Sequence, residues 1–220
     1  MAPFELLIAT RNEGKIAELR EAFASVPVAL RLLREFRNIS EVEEVGETYQ
    51  GNATLKATSY SRQTGITALA DDSGLEVDAL HGGPGVLSAR FGGDNLSERE
   101  RTEALLASLQ KIGPTTRTAR FNCCMVLYGA LPLAETELSA PRVLAVTEGI
   151  CEGSLALEPS GSEGFGFDPI FIPNGYDVPF AALDQVIKRK VSHRFRAAQR
   201  MRQKLELYLG PHLTAGRSAS

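Results

Sequence analysis

Apolar residues first gather between Phe4 and Ala9, broken only by Glu5, and a run this short and dense predicts a buried strand. The polar turn T-R-N-E-G follows. Ile16, Leu19, Ala22 and Phe23 then recur at helical spacing, with Pro27 expected to end the helix. Val28 to Leu33 predicts a second short strand, and the acidic stretch Glu41 to Glu47 reads as a loop. Thr48 is placed to cap a second helix that Gly65 closes. Ile66 to Ala70 predicts another buried strand, ending abruptly at Asp71-Asp72-Ser73-Gly74. Both carboxylates are therefore expected at the C-terminal edge of a strand, where the ligands of α/β sheets gather.

The glycine-rich segment H-G-G-P-G-V-L-S-A-R-F-G-G comes next, and Ser97 with Glu100 three residues later forms a capping box for a helix reaching about Lys111. Thr118 to Tyr128 and Arg142 to Gly153 read as strands, joined by a proline-bearing connection whose length suits an extended hairpin rather than a crossover helix. Ser192 caps a last helix with one apolar stripe, Phe195, Ala198, Met201, Leu205 and Tyr208, which Gly210-Pro211 is expected to stop. This order of elements predicts an α/β protein on a mixed sheet, not a pure Rossmann fold. There is no internal repeat and no low-complexity linker. Residues 1–210 read as a single domain and 211–220, small and polar, as a flexible tail.

Composition narrows the function. The chain's 220 residues suffice for one domain or two closely joined lobes, and 43% hydrophobic with 23% charged residues is an ordinary globular balance. A formal net charge of −3 gives no general attraction to nucleic acid or an anionic membrane, so any anion must be held locally. Three cysteines, two of them adjacent, suit a reducing cytoplasm. The N-terminus lacks a signal-peptide pattern and no run of about 18 apolar residues occurs, so a soluble cytoplasmic protein is expected. G-x-G-x-x-G, G-x-x-x-x-G-K-[ST] and H-E-x-x-H are all missing, which removes several common nucleotide and zinc mechanisms.

Four segments carry candidate chemistry, each with two readings. Thr10 to Lys15 is a loop entering a helix, a natural anion site. Lys15 would face the positive end of the helix dipole there, at a cost of about 0.3–1 kcal/mol unless an anion compensates. Taken alone, the segment fits an ordinary exposed lysine behind an Asn12 cap better. Asp71 and Asp72, with Glu43 and Glu44 upstream, suit magnesium, which takes oxygen ligands and commonly only one or two protein carboxylates; a plain turn is the other reading. Phe165 and Phe167, alternating with glycines before Asp168, fit either a purine-stacking loop or core anchors. Lys188 to Arg194, continuing through Arg196, Arg200, Arg202 and Lys204, fits a solvated helix face with ligand residues near its start better than a nucleic-acid surface. Cys124 lies in an apolar strand pattern and reads as a core residue rather than a nucleophile. The three histidines are not spaced for zinc.

In this order the segments A-T-R-N-E-G-K, E-E-V-G-E-T-Y-Q-G-N-A-T-L-K-A, A-D-D-S-G-L-E-V-D-A-L, G-G-P-G-V-L-S-A-R-F, F-G-F-D-P-I-F and K-R-K-V-S-H-R resemble the Ham1-type family of inosine triphosphate pyrophosphatases, over nearly the whole chain. The resemblance implies an elongated α/β fold with a mixed sheet flanked by helices, two lobes with a nucleotide cleft between them, and a homodimer. It implies magnesium-dependent hydrolysis of noncanonical purine triphosphates such as dITP, ITP and XTP to the monophosphate and pyrophosphate. By the same resemblance Thr10, Arg11, Asn12, Glu13, Gly14 and Lys15 bind the triphosphate, Asp72 is the general base, and Glu43 and Asp72 hold magnesium. Ser73 and Lys56 are further substrate contacts. Phe165, Gly166, Phe167 and Asp168 meet the base, and Lys188, His193 and Arg194 complete the site. Two departures stand out: Arg11 occupies a position where a small residue is common, and Phe167 one where tyrosine is frequent. A pyrophosphatase for altered pyrimidine triphosphates and a nucleotide sensor without turnover are the rival readings.

Overall fold

The computed structural model describes residues 3–113, 115–134 and 137–215. Strand β1 (Phe4–Ile8) leads through a polar loop into α1 (Glu13–Ala22) and returns in β2 (Val28–Leu32), which pairs with β1 in parallel. Leu6, Leu7 and Ile8 are all fully buried, as befits a parallel strand covered on both faces. Helix α1 stops four residues short of Pro27. Its end is set instead by Phe23, whose side chain is buried and whose N–H donates to Leu19 O, so the core and not the proline decides the boundary.

Helix α2 (Tyr49–Thr64) begins where expected, with Thr48 Oγ1 accepting from Gly51 N, and closes at Gly65, whose φ of +73° is the left-handed conformation that glycine tolerates. Helix α3 (Glu98–Ile112) carries the expected capping box: Ser97 Oγ accepts from Glu100 N at 3.3 Å and Glu100 Oε2 accepts from Ser97 N at 2.8 Å. Ser97→Ala is expected to destabilise the fold by about 1 kcal/mol, read as a lowered urea midpoint.

Strand β3 (Thr67–Val77) corrects the expectation of a strand ending at Ala70. It continues through Asp71 and Asp72 for eleven residues, so the carboxylates lie within the strand and not at its edge. The continuation is held from the far side: Leu75 N donates to Ser88 Oγ at 2.8 Å, Val77 N donates to Gly83 O at 2.9 Å, and Gly74 lets the Gly85 carbonyl approach closer than any Cβ would allow. These partners come from the glycine-rich segment after the strand, a pairing that local periodicity does not report.

Strands β4 (Thr118–Gly129), β5 (Pro132–Ala134), β6 (Glu137–Leu138), β7 (Arg142–Leu155) and β8 (Phe171–Pro173) follow. The main sheet runs β2-β1-β3-β4-β7-β8. It is mixed, since β1 is parallel to β2 and β3 while β7 and β8 are antiparallel. The proline-bearing connection between β4 and β7 holds the antiparallel β5-β6 ribbon.

The chain separates into two compact units, the first made of residues up to Asp72, Cys124–Glu148 and the chain from Ala197 onward, the second of Ser73–Cys123 and Gly149–Arg196. The first has a core of small and branched residues, among them Leu7, Ala53, Ala57, Ala68, Ala70 and Val126. The second is built around Phe121, Phe171 and Phe180, whose ring centroids lie 4.7–6.1 Å apart.

After the short helix α4 (Gln185–Val191), α5 (His193–Ala215) starts at the expected cap, with Ser192 Oγ accepting from Phe195 N. It runs five residues beyond Gly210, correcting the expected stop. Pro211 withholds one N–H, from the carbonyl of Leu207 four residues back, and Leu207 is exposed, so water can take that bond. Of the expected tail, residues 216–220 lie outside the described residues. The helix's arginines serve the fold: Arg200 donates to Glu148 O in the first unit and Arg196 to Ile150 O in the second, both on β7.

Candidate functional site

In the first unit, β1 ends and the chain turns at Thr10, whose Oγ1 accepts from Asn12 N at 3.2 Å. Asn12 caps α1 by accepting from Lys15 N at 2.9 Å, which places Lys15 in the first helical turn. The anion that offsets this lysine is part of the protein: Lys15 Nζ lies 3.1 Å from Asp71 Oδ2. Arg11 reaches back to Ile39 O at 3.3 Å, and Glu13 pairs with Arg34 at the surface.

Asp72 follows on the same strand, 4% exposed, and helix α2 supplies both its neighbours. Asn52 Nδ2 donates to Asp72 Oδ2 at 3.0 Å, and Lys56 Nζ lies 3.4 Å from Asp72 Oδ1 and 3.0 Å from Glu44 Oε1. Burial pushes the Asp72 carboxyl above its ordinary value; Lys56 pulls it back and Glu44 pushes it further up. Burial works against the charged form of Lys56, yet Asp72, Asp71 and Glu44 together hold its ammonium above the ordinary lysine value. Asp71, Asp72 and Glu44 gather here around Lys15 and Lys56, which places carboxylate oxygens close together.

Among the described residues no group of three or more His, Cys, Asp or Glu side chains is arranged to hold a metal. Asp72, with Asp71 and Glu44 nearby, offers carboxylate oxygens, the donor type that an oxygen-seeking ion takes one or two of while filling its other positions with water and phosphate oxygens. The structure brings Glu44 to Lys56, whereas its neighbour Glu43 is exposed.

In the second unit, Asp168 Oδ2 accepts from Phe165 N at 2.9 Å and from Lys188 Nζ at 2.6 Å, with both side chains of the ion pair no more than 7% exposed. Gly164, at φ +87°, allows this fold-back: a Cβ there would collide with the Asp168 carboxylate and come within 2.6 Å of Lys188 Nζ. Phe165 is half-buried, with Arg194 Cζ 5.4 Å and Lys188 Nζ 5.9 Å from its ring centroid. Arg194 is itself buried and donates to Ser73 Oγ at 2.8 Å. The two aromatics of the segment part company. Phe167 is 3% exposed in the unit's core, where it packs as an anchor, while Phe165 lies beside two cations; Gly166, between them, turns at φ +61°. His193 is likewise buried, its ring stacked on Phe121 at 4.7 Å.

The structure thus gathers Lys15, Lys56 and Asp72 in the first unit, and Ser73, Phe165, Asp168, Lys188 and Arg194 in the second. Sequence reading missed Asn52 and gave Asp71 and Glu44 only as candidate magnesium carboxylates, without their lysine partners. Asn52 and Lys56 are four apart on α2, the one local signal that they share a face. A cysteine nucleophile does not fit the site: burial pushes the Cys124 thiol up to about 12 and the Cys151 thiol up to about 11, which keeps both protonated.

Residues 6–204 match the model of the Ham1 family. The dITP/XTP pyrophosphatase of Halalkalibacterium halodurans is 40% identical over 197 residues, covering 90% of this chain and 96% of that protein. That of Bacillus anthracis is 39% identical over 207 residues, covering 94% and 98%. The solved structure of a HAM1 protein from Coxiella burnetii superposes with a TM-score of 0.79 at 36% identity, covering 92% of this chain and 98% of that one.

Proposed function

We propose, from the premise that this chain belongs to the Ham1 family, that it hydrolyses the noncanonical purine triphosphates dITP, ITP and XTP to the monophosphate and pyrophosphate, removing them from the nucleotide pool. The observation that carries the mechanism is the buried Asp72, held by Asn52 and Lys56 beside a second carboxylate paired to Lys15. In this reading a water oxygen attacks the α-phosphorus and the bond to the bridging oxygen of the β-phosphate breaks. Asp72 takes the water's proton and pyrophosphate leaves. Lys15, Lys56 and the N–H groups of the Thr10 to Lys15 loop neutralise and orient the triphosphate. Glu43 and Asp72 would hold magnesium, whose contribution is charge neutralisation at the phosphates.

The second unit's cluster takes the base. Phe165 offers a ring to stack on, and Arg194, fixed by Ser73, offers donors to a 6-keto oxygen. Adenine presents an amino group at that position, which leaves buried donors unmatched at a cost of about 1–3 kcal/mol each. The enzyme works in this reading as a cytoplasmic homodimer; no helix among the described residues is long and apolar enough to cross a membrane. Sedimentation at micromolar concentration tests the dimer.

Incubation with magnesium and, separately, dITP, ITP, XTP, ATP, GTP and dTTP tests the activity. Pyrophosphate from the first three is the expected result. Orthophosphate, or a preference for pyrimidines, defeats the reading.

The pH dependence has a definite sign. Because burial raises the Asp72 carboxyl, the acid limb of kcat/KM is expected above the ordinary carboxylate range, with activity lost as pH falls through it. For stability the same shift works oppositely. A carboxyl that binds its proton more tightly in the folded protein stabilises the fold at low pH, and that contribution disappears as pH rises through the folded value. A limb at the ordinary carboxylate position contradicts a burial-raised Asp72 as the group that sets it.

A further inference from the structure

We infer that Asn52 is a positioning residue of this site: it sets the direction of the Asp72 carboxylate and ties to it the acidic loop that carries Glu43 and Glu44. The inference rests on the reading of Asp72 as the base. Asn52 is fully buried on α2, one turn before Lys56, and the two side chains leave the same face of the helix. Each spans the same two elements. Asn52 donates through Nδ2 to Asp72 Oδ2 at 3.0 Å and accepts Gly46 N into Oδ1 at 2.7 Å. Lys56 lies 3.4 Å from Asp72 Oδ1 and 3.0 Å from Glu44 Oε1. Each oxygen of the carboxylate therefore meets one residue of α2, and each of those residues reaches the loop with a second bond.

The two are not equivalent. An ammonium is a rotating point charge that tolerates a turn of its partner, whereas an amide is planar, with donor and acceptor fixed on separate atoms. With Oδ1 held by the Gly46 N–H, the Asn52 donor can point in one direction only, and that direction is Asp72 Oδ2. Gly46 is suited to this contact by its size. A Cβ there would stand 2.6 Å from Asn52 Oδ1 and 3.1 Å from Asn52 N, so a larger residue would push the amide away. A general base acts only when its lone pair lies within hydrogen-bond reach of the proton it takes, and small misplacements slow turnover steeply. Asn52 acts on the chemistry through Asp72, and its loss should slow turnover far more than it weakens nucleotide binding.

Asn52→Ala and Gly46→Ala, made separately in the full-length protein, test this by steady-state kinetics with dITP and magnesium and by thermal unfolding. Each variant is expected to lose about tenfold or more in kcat while KM changes by less than about threefold. Unchanged kcat, equal changes in kcat and KM, or a loss that merely follows a lowered unfolding midpoint overturns the inference. A second readout needs no nucleotide. In the wild-type protein the Asn52 side-chain amide is expected to be protected from hydrogen exchange in NMR spectra, and to lose that protection in Asp72→Ala. Retained protection in Asp72→Ala also overturns it. If the wild-type protein releases no pyrophosphate from any keto-purine triphosphate, the proposed function fails by that measurement, while the exchange experiment still decides whether Asn52 holds Asp72.

Discussion

Asp72→Asn is expected to lower kcat for dITP by about 10²–10⁴-fold, the usual contribution of a positioned general base, with the fold intact. The replacement keeps the volume of a side chain only 4% exposed, so neither cavity nor overpacking follows. What it removes is the proton acceptor. Asp72 receives donors at both oxygens, from Asn52 and Lys56, and an asparagine must turn its own NH₂ toward one of them. The resulting donor-to-donor contact costs some stability. Loss of a charge that burial already disfavours offsets part of that cost, so the unfolding midpoint should move by only a few degrees. Lys56 keeps Glu44 as a partner at 3.0 Å, which limits the collapse of the cluster. Pyrophosphate release measured beside thermal unfolding decides the matter. Near-normal turnover by a folded variant rules out Asp72 as the base.

Lys188→Met in the second unit should act on stability and binding instead. The Lys188 ammonium and the Asp168 carboxylate lie 2.6 Å apart, with side chains 6% and 7% exposed, so each is expensive to bury without the other. Removing the cation from such a pair costs about 3–5 kcal/mol, most of it the penalty on the charge that stays behind. The penalty has a signature. Adding Asp168→Asn to Lys188→Met should recover much of the lost stability, because no carboxylate then remains to be buried, and urea midpoints of the single and double variants measure it. The Asp168 carboxylate also accepts from Phe165 N, and Lys188 lies near the Phe165 ring, so the segment proposed to meet the base loses its support. The KM for dITP should rise by about tenfold or more, in contrast with the kcat effect at Asp72. Additive destabilisation in the double variant would show that the pair is not a buried charge balance.

The expected contrast between these variants bears on what could be read from the chain. Helix starts were legible because their signals are complete within four residues: Thr48 with Gly51, Ser97 with Glu100, and Ser192 with Phe195 all form the bonds their spacing announces. Lys15 was legible as an anomaly, a cation at the positive end of a helix, but its resolution was not. The compensating anion, Asp71, lies 56 positions later in the chain and reaches it only through the parallel pairing of β1 with β3. Asn52 gave no signal beyond its four-residue spacing from Lys56, for the same reason. An asparagine in the first turns of a helix is unremarkable until Gly46 and Asp72 are brought to its two ends.

The strand and helix boundaries that departed from expectation also share a cause. β3 passes through two carboxylates because Gly74, Leu75 and Val77 find partners at Gly83, Gly85 and Ser88, and α1 stops at Phe23 because the core claims that ring before Pro27 is reached. Phe165 and Phe167 are the same residue two positions apart, yet one joins the aromatic core and the other lies beside two cations. By itself the sequence determined the element types, the caps, the mixed α/β class, the family and the chemical kinds of group at the site, because those follow from local hydrogen bonding, from side-chain periodicity and from motifs in register. Tertiary structure alone decided which carboxylate meets which lysine, which phenylalanine is buried and what aims Asp72, because each depends on burial and on donors and acceptors far apart along the chain.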